Sequence, residues 1–417
     1  MKKSLILFML SIASLVTAQE FDISAEFRPR FEYRNGYKTL FPDGEEAASF
    51  VSQRTRLNFN YGSEKLKAYI SFQNIRVWGD VATLSSSDKN GVALHEAWAQ
   101  AILSPQISLK MGRQEIVYDD HRMFGNVGWS QQARSHDAFI ASYTPNSNNR
   151  LDFGLALNQN AETLFEVDYN VNNYKAFQYL WYHTNFNNGS LSLLLLNNGL
   201  PFDDNGEQKV DYNQTLGSRF TYGKNKLKGD ASLYYQTGSI ANVDLSAYNA
   251  AANINYSFSG TIKAGLGVEY NSGTDMNATD GKLKSFSPWF GTNHKFNGWM
   301  DYFYVGNHSN SVGLVDINAN LKYQKDKFSM AIIPHVFSAA ATVVDGSGNE
   351  MDSSLGTEID ITFGYKLESN ISIQVGYSQM FATETMEVLK GGNKDNTNNW
   401  AWAMFVFKPK LFSYKKD

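Results

Sequence analysis

Eleven arginines occur in the 417-residue chain, and nine of them fall in one stretch: Arg28, Arg30, Arg34, Arg54, Arg56, Arg76, Arg113, Arg122 and Arg134. A guanidinium is always charged and presents paired donors that match a carboxylate or phosphate. So concentrated a set can draw anions along a wall. It can equally brace an interior by pairing with Glu26, Glu32, Glu96, Glu115, Asp119 and Asp120, which lie in the same stretch. Bond-breaking chemistry is poorly served by comparison. His121 beside Asp119 and Asp120, and His294 near Asp301, lack metal-ligand spacing on a defined element. The run Phe202-Asp203-Asp204-Asn205-Gly206 has oxygen ligands for Ca²⁺ but reads as a solvated loop. Gly391-Gly392 has no phosphate-loop context. No Ser–His–acid set can be placed together. The expectation is a protein with no catalytic residue, no metal and no cofactor.

The elements that hold these arginines have a period of two. Phe21, Ile23, Ala25, Phe27, Phe31 and Tyr33 fall on one face of a strand, and Asp22, Ser24, Glu26, Arg28, Arg30, Glu32 and Arg34 fall on the other. Residues 261–271, 315–323 and 354–365 repeat the pattern, with Lys263 and Glu269, Asp316 and Lys322, and Glu358 and Asp360 on their polar faces. Arg28, Arg30, Arg54 and Arg56 lie on the polar face of the first two strands. Antiparallel pairing stacks them into a ladder. After residue 18 there is no apolar run of 18 residues, so no membrane helix is expected.

A soluble sandwich also alternates. The spacing of turns separates the two. Short turns fall near 62–65, 104–106, 145–149, 187–190, 223–226, 259–260, 325–327 and 367–370. Longer polar segments fall near 35–49, 79–91, 119–135, 159–174, 199–210, 239–244, 273–312, 339–353 and 383–398. Eight short turns alternating with nine longer loops make 18 strands. Just before the short turns stand Tyr61, Leu103, Tyr143, Phe186, Tyr222, Phe258, Tyr323 and Tyr365. An aromatic ring at one end of nearly every hairpin is a membrane-interface girdle, which a sandwich has no reason to repeat. The fold class expected is all-β: a transmembrane antiparallel up-and-down β-barrel of about 18 strands, with short periplasmic turns and long external loops.

Composition agrees. Aromatics make up 14% of the chain, proline is scarce and cysteine is absent, so disulfides and thiolate metal sites are excluded. The N-terminus carries Lys2 and Lys3, an apolar stretch from Leu5 to Val16, and small residues at Val16-Thr17-Ala18. Residues 1–18 are read as a signal peptide and residues 19–417 as one barrel domain. The formal net charge of -4 becomes more negative once Lys2 and Lys3 are removed, which argues against a nucleic-acid binder.

Two segments carry a family resemblance. One runs Gly112-Arg113-Gln114-Glu115-Ile116-Val117-Tyr118-Asp119-Asp120-His121-Arg122 and continues through Gly128-Trp129-Ser130-Gln131-Gln132-Ala133-Arg134 to Asp137. The other is Phe290-Gly291-Thr292-Asn293-His294-Lys295-Phe296-Asn297-Gly298-Trp299-Met300-Asp301-Tyr302. Both resemble the alginate-export family of outer-membrane porins in its flavobacterial form, and Gln53-Arg54-Thr55-Arg56-Leu57 and His95-Glu96-Ala97-Trp98 fit the same pattern. The resemblance implies an 18-strand barrel in the outer membrane of a Gram-negative bacterium. It also implies an electropositive constriction conducting anionic uronate polymer. Small hydrophilic solutes are the alternative cargo.

The pore-lining and anion-binding set expected is Arg28, Arg30, Arg54, Arg56, Arg76, Arg113, Arg122 and Arg134, with Glu26, Glu96, Glu115, Asp119 and Asp120 as acidic partners in the lumen. The long segment 273–312 is expected to fold into or over the lumen, with Asn293, His294, Lys295, Trp299 and Asp301 at the constriction. The surrounding partners expected are outer-membrane lipid and lipopolysaccharide. A non-conducting barrel that binds partners through its external loops is the other function class. Oligomeric state, monomer or trimer, is left open.

Overall fold

The computed structural model describes residues 19–416 except 171–172 and 304–310. The signal peptide expected over residues 1–18 lies outside the described residues. Alternating sequence becomes strand throughout: β1 (Glu20–Asn35), β2 (Ala48–Gly62), β3 (Leu66–Val77), β4 (Ala93–Ile102), β5 (Ile107–Gln114), β6 (His136–Asn146), β7 (Asn149–Leu157), β8 (Ala176–Phe186), β9 (Gly189–Asp204), β10 (Glu207–Lys224), β11 (Leu227–Ile240), β12 (Val243–Ser257), β13 (Ile262–Asn271), β14 (Leu314–Lys325), β15 (Phe328–Ser338), β16 (Ser354–Glu368), β17 (Ile371–Ala382), β18 (Asn398–Phe407) and β19 (Lys410–Lys415). Each strand from β1 to β18 pairs antiparallel with its sequence neighbours, and β1 also pairs with both β18 and β19, so the sheet closes on itself. β18 and β19 are two halves of one crossing. Pro409 lacks the N–H that would continue the ladder, and its carbonyl accepts instead from Ala25 N at 3.0 Å. The barrel therefore has 18 crossings, with the start of β1 and the end of β19 at the short-turn rim.

Register fixes which side chains meet lipid. Leu216 (52% exposed), Leu233 (55%), Leu266 (64%), Ile317 (57%) and Val336 (50%) form part of an outward apolar band. Their sequence neighbours Gly217, Ser232, Gly267, Asp316 and His335 face inward, as period two requires.

Two of the longer connections expected from the sequence are tight hairpins instead. Strand β9 runs on to Asp204 and β10 begins at Glu207, so the 199–210 segment is mostly paired strand around Asn205-Gly206. Both residues have positive φ, 58° and 87°, which an Asn-Gly pair adopts readily and which matches strand twist. Ala241-Asn242, at 49° and 64°, likewise closes β11 onto β12 within the 239–244 segment. Polar composition suggested loops there. Turn chemistry decided otherwise. The Asp203–Asp204 pair is absorbed in this hairpin: Asp203 accepts from Gly206 N at 3.0 Å, and Asp204 pairs with Lys209 at 2.6 Å.

Four longer connections matter for the interior. The loop after β5 spans 115–135, and that after β13 spans 272–313. The loop after β15 spans 339–353. The loop after β17 carries the short helix α1 (Glu384–Lys390), whose N-terminus is capped by Thr383. The first two enter the barrel. Two apolar clusters form inside it, one around Phe124, Phe177, Tyr179, Leu196, Phe286 and Phe290, the other around Met300, Tyr302, Leu314, Phe337, Met386 and Trp400. At loop level the lumen is packed rather than filled with water.

The outward band predicts a depth-dependent response to charge. Leu233→Arg should destabilise the folded barrel in lipid vesicles by about 2–4 kcal/mol in urea titration. A loss below about 1 kcal/mol would contradict the assigned register.

Candidate functional site

The two segments singled out in the sequence pack against each other inside the barrel. Phe124 and Phe290 form a parallel bridge, Gly125 N donates to Phe290 O at 2.8 Å, and Thr292 N donates to His121 O at 2.9 Å. Arg134 donates to Gly291 O at 3.0 Å, and Lys295 Nζ donates to Asp120 O at 2.9 Å. Burial pushes the Lys295 amine below its ordinary range. Gly291 permits the approach: a Cβ there would lie 2.2 Å from the carbonyl oxygen of Arg122.

Each loop docks on a wall of opposite charge. Arg28, Arg30 and Arg54 point inward and are buried. Arg28 donates to the carbonyls of Gly128 (2.7 Å), Trp129 (3.0 Å) and Ser130 (3.2 Å) and to Gln131 Oε1. Arg30 donates to Trp129 O at 2.7 Å while its guanidinium lies 4.1 Å from the centre of the Trp129 ring. Arg54 reaches Gln131 O at 3.3 Å and pairs with Glu26 at 2.6 Å, and Glu32 pairs with both Arg30 and Arg34. The ladder thus grips the main chain of the 128–131 segment. Its donors are largely occupied within the fold. Arg56 differs: it donates to Gln73 at 3.0 Å, stands 3.9 Å from Glu115, and its Nη2 has no partner.

A second stretch of the wall is acidic. Glu269, Asp316, Glu358 and Asp360 project inward from β13, β14 and β16 and are buried. They accept from the second loop: Asn297 Nδ2 to Glu269 (2.9 Å) and Asp316 (3.2 Å), Trp299 N to Asp360 (3.2 Å) and Met300 N to Glu358 (2.9 Å). Gly298 has φ +81°, and a Cβ there would lie 2.7 Å from the Glu358 carboxylate. Arg122 crosses between the loops, pairing with Glu269 and reaching Asn293 at 3.3 Å and Asn297 at 3.0 Å. His294 stacks on Trp129, with ring centres 4.7 Å apart, and bonds Asp301 at 2.7 Å, which also accepts from Tyr37. Asn293, His294, Lys295, Trp299 and Asp301 therefore lie together within the lumen. Asn293, His294 and Asp301 are buried in it.

The other expected residues divide. Glu96 accepts from Trp98 Nε1 and Glu115 N, and Glu115 binds His95 at 2.8 Å and Asn126 at 2.7 Å. Burial would raise the Glu115 carboxyl, but the His95 and Asn126 hydrogen bonds hold it below its usual range. His95, Glu96 and Glu115 bring ligand-type atoms within 4.8 Å of one another, and these hydrogen bonds account for them as a brace. Asp119 accepts from Trp181 and Ser192, and Asp120 pairs with Arg219 at 2.6 Å. Two arginines do not line the lumen. Register puts Arg76 and Arg113 on the outward face at the external rim, where Arg76 pairs with Asp88 and Arg113 with Asp137. Both sit one residue off the inward parity of their strands.

Cations outside the expected arginine set also face inward, Lys263 and Lys322 among them from the polar faces noted in the sequence. Arg150 and Arg219 face the lumen, paired with Asp152 and with Asp120 and Asp230. Lys110, Lys228, Lys263, Lys322 and Lys366 also face inward, and none forms an ion pair among the described residues. Lys110 lies 3.9 Å from the centre of the Trp98 ring, and Lys263 and Lys322 stand directly opposite each other across β13 and β14. Strand parity alone marks these lysines. Lys110 and Arg150 line a cavity of about 560 Å³, and Arg219, Lys295 and Lys322 line one of about 310 Å³.

Residues 19–400 match the alginate export family model. No curated protein matches the chain. Among solved structures, OccAB4 of Acinetobacter baumannii aligns at TM-score 0.64 and 11% identity, covering 95% of this chain and 99% of that one. OpdO (OccK3) of Pseudomonas aeruginosa aligns at 0.63 and 13%, covering 97% and 100%. OpdK of the same organism, solved with vanillate, aligns at 0.58 and 12%, covering 94% and 99%. With the closed 18-strand barrel and the family match over nearly its whole length, the chain belongs to the alginate export family and is an outer-membrane channel protein of Gram-negative type.

Proposed function

We propose that the channel is a passive, anion-preferring one, passing small hydrophilic anions and uronates among them past a constriction built from the two inserted loops. The observation that carries this reading is the set of inward lysines without ion pairs. Lys263 and Lys322 are directly opposed like charges, which cost stability in a sheet. An anion in the lumen offsets that cost. The wall of Arg28, Arg30 and Arg54 contributes mainly by fixing the loop, while Arg56, Lys110, Arg150 and the lysines of β11, β13, β14 and β16 supply the attracting field. The uronate cargo is suggested by the family, and the vanillate present in the OpdK structure, a barrel of the same fold, is a carboxylate.

Two measurements test this in planar bilayers. Lys110→Gln, Lys263→Gln and Lys322→Gln combined should lower the anion-to-cation permeability ratio several-fold, read from reversal potentials in a salt gradient. An unchanged ratio, or no conductance by the folded wild type, would refute the proposal. Arg28→Ala with Arg30→Ala leaves the carbonyls of 128 and 129 without their guanidinium donors, so it should raise single-channel conductance and open-state noise. Equal conductance and noise would remove the constriction role of that loop.

A further inference from the structure

The inward lysines all lie toward one end of the barrel. Lys228 and Lys263 are the second residues of β11 and β13, and Lys110 is the fourth of β5. Lys322 and Lys366 stand within the last four residues of β14 and β16. Each of these strand ends meets a short turn, so the five ammonium groups surround the short-turn mouth. The eight short turns themselves hold two acidic residues, Glu64 and Asp326, against Lys65, Lys226 and Lys327. Nearby inward acids are already matched: Asp22, Asp152 and Asp230 pair with Lys410, Arg150 and Arg219.

The opposite mouth carries the opposite charge. Besides the two loops that enter the lumen, the longer connections are 36–47, 78–92, 158–175, 339–353 and 383–397. Together they hold 14 Asp and Glu against five Lys and no Arg. Most of these carboxylates are exposed, among them Asp43, Glu45, Glu46, Glu162 and Glu166.

The two zones act independently. Lys322 lies eight residues from Leu314, the loop end of β14, which is about 26 Å of strand. The screening length in 0.1 M salt is about 10 Å, so neither zone cancels the other, and the inserted loops pack the lumen between them. Lysines therefore pool anions at the short-turn mouth, and the loop carboxylates pool cations at the other. A voltage positive on the loop side drives both pools into the constriction. The reverse voltage draws both away and leaves the constriction depleted of carriers.

We infer that the channel is a rectifier, passing anions from the short-turn mouth to the loop mouth more readily than the reverse. This rests on the anion-preferring reading above and adds a direction to it. The test uses the full chain in planar bilayers with equal KCl on both sides. The chain has no cysteine, so biotin on Ala161→Cys, an exposed position in 158–175, reports the direction of insertion when streptavidin is added to one compartment. In 0.1 M KCl the current with the loop side positive should exceed that at the opposite polarity by at least about twofold. The ratio should approach one in 1 M KCl, where the screening length falls to about 3 Å. Glu45→Gln, Glu46→Gln, Glu162→Gln and Glu166→Gln combined remove exposed loop charge and leave the inward lysines in place. They should bring the 0.1 M ratio at least about halfway to one. Rectification of the opposite sign, a ratio that persists in 1 M salt, or no effect of the four substitutions would overturn the inference. Equal currents at both polarities with anion preference retained sink the rectifier alone, whereas a cation-preferring wild type in a salt gradient sinks both readings.

Discussion

A charged side chain that points into a barrel and is cut off from water must find partners, and here the main chain of two inserted loops supplies them. Carbonyl oxygens of 128–131 meet the guanidinium wall, and backbone N–H groups of 299 and 300 meet the carboxylate wall. The pairing works in both directions. The loops gain partners for backbone groups that would otherwise be stranded in the lumen, and the walls gain neutralisation without a full complement of ion pairs. Arg122 and the stack of Trp129 on His294 then tie the loops to each other.

This division of labour separates structure from selectivity. Where arginine is densest, its hydrogen bonds are spent on geometry, and removing one partner would strand several buried groups at once. In the proposed reading, the field that an entering solute meets comes instead from inward cations that form no ion pair among the described residues. These are lysines spread over several strands on the lumen side. A tight constriction and a graded charge can therefore be altered by different residues. The barrel architecture itself is shared at 11–13% identity with OccAB4 and OpdO.

Much of the fold was legible in the chain. The alternation at 21–34, the asymmetry of turns and loops, and the aromatic residues before the short turns each follow from local rules, and together they require a closed lipid-facing cylinder. The misreadings were local too. Polar composition at 199–210 suggested a loop where Asn205-Gly206 makes a two-residue hairpin, because turn type depends on two residues and not on the average polarity around them. The site was only half legible. Arg28, Arg30, Arg54 and Arg56 were correctly placed inward by parity, but Arg76 and Arg113 sit one residue off the inward parity of their strands.

The sequence alone determined the class of membrane element, the number of crossings and the inward face of the first two strands, since each depends on spacing within a few residues. It also marked 112–137 and 290–302 as special. Only the tertiary structure decided that these segments, more than 150 residues apart, touch inside the lumen. It also decided which charges they consume. Contact inside the lumen is set by barrel closure through β1 and β18, which brings the loops held by β1 and β2 and by β13 to β16 into one interior, and no local periodicity encodes that.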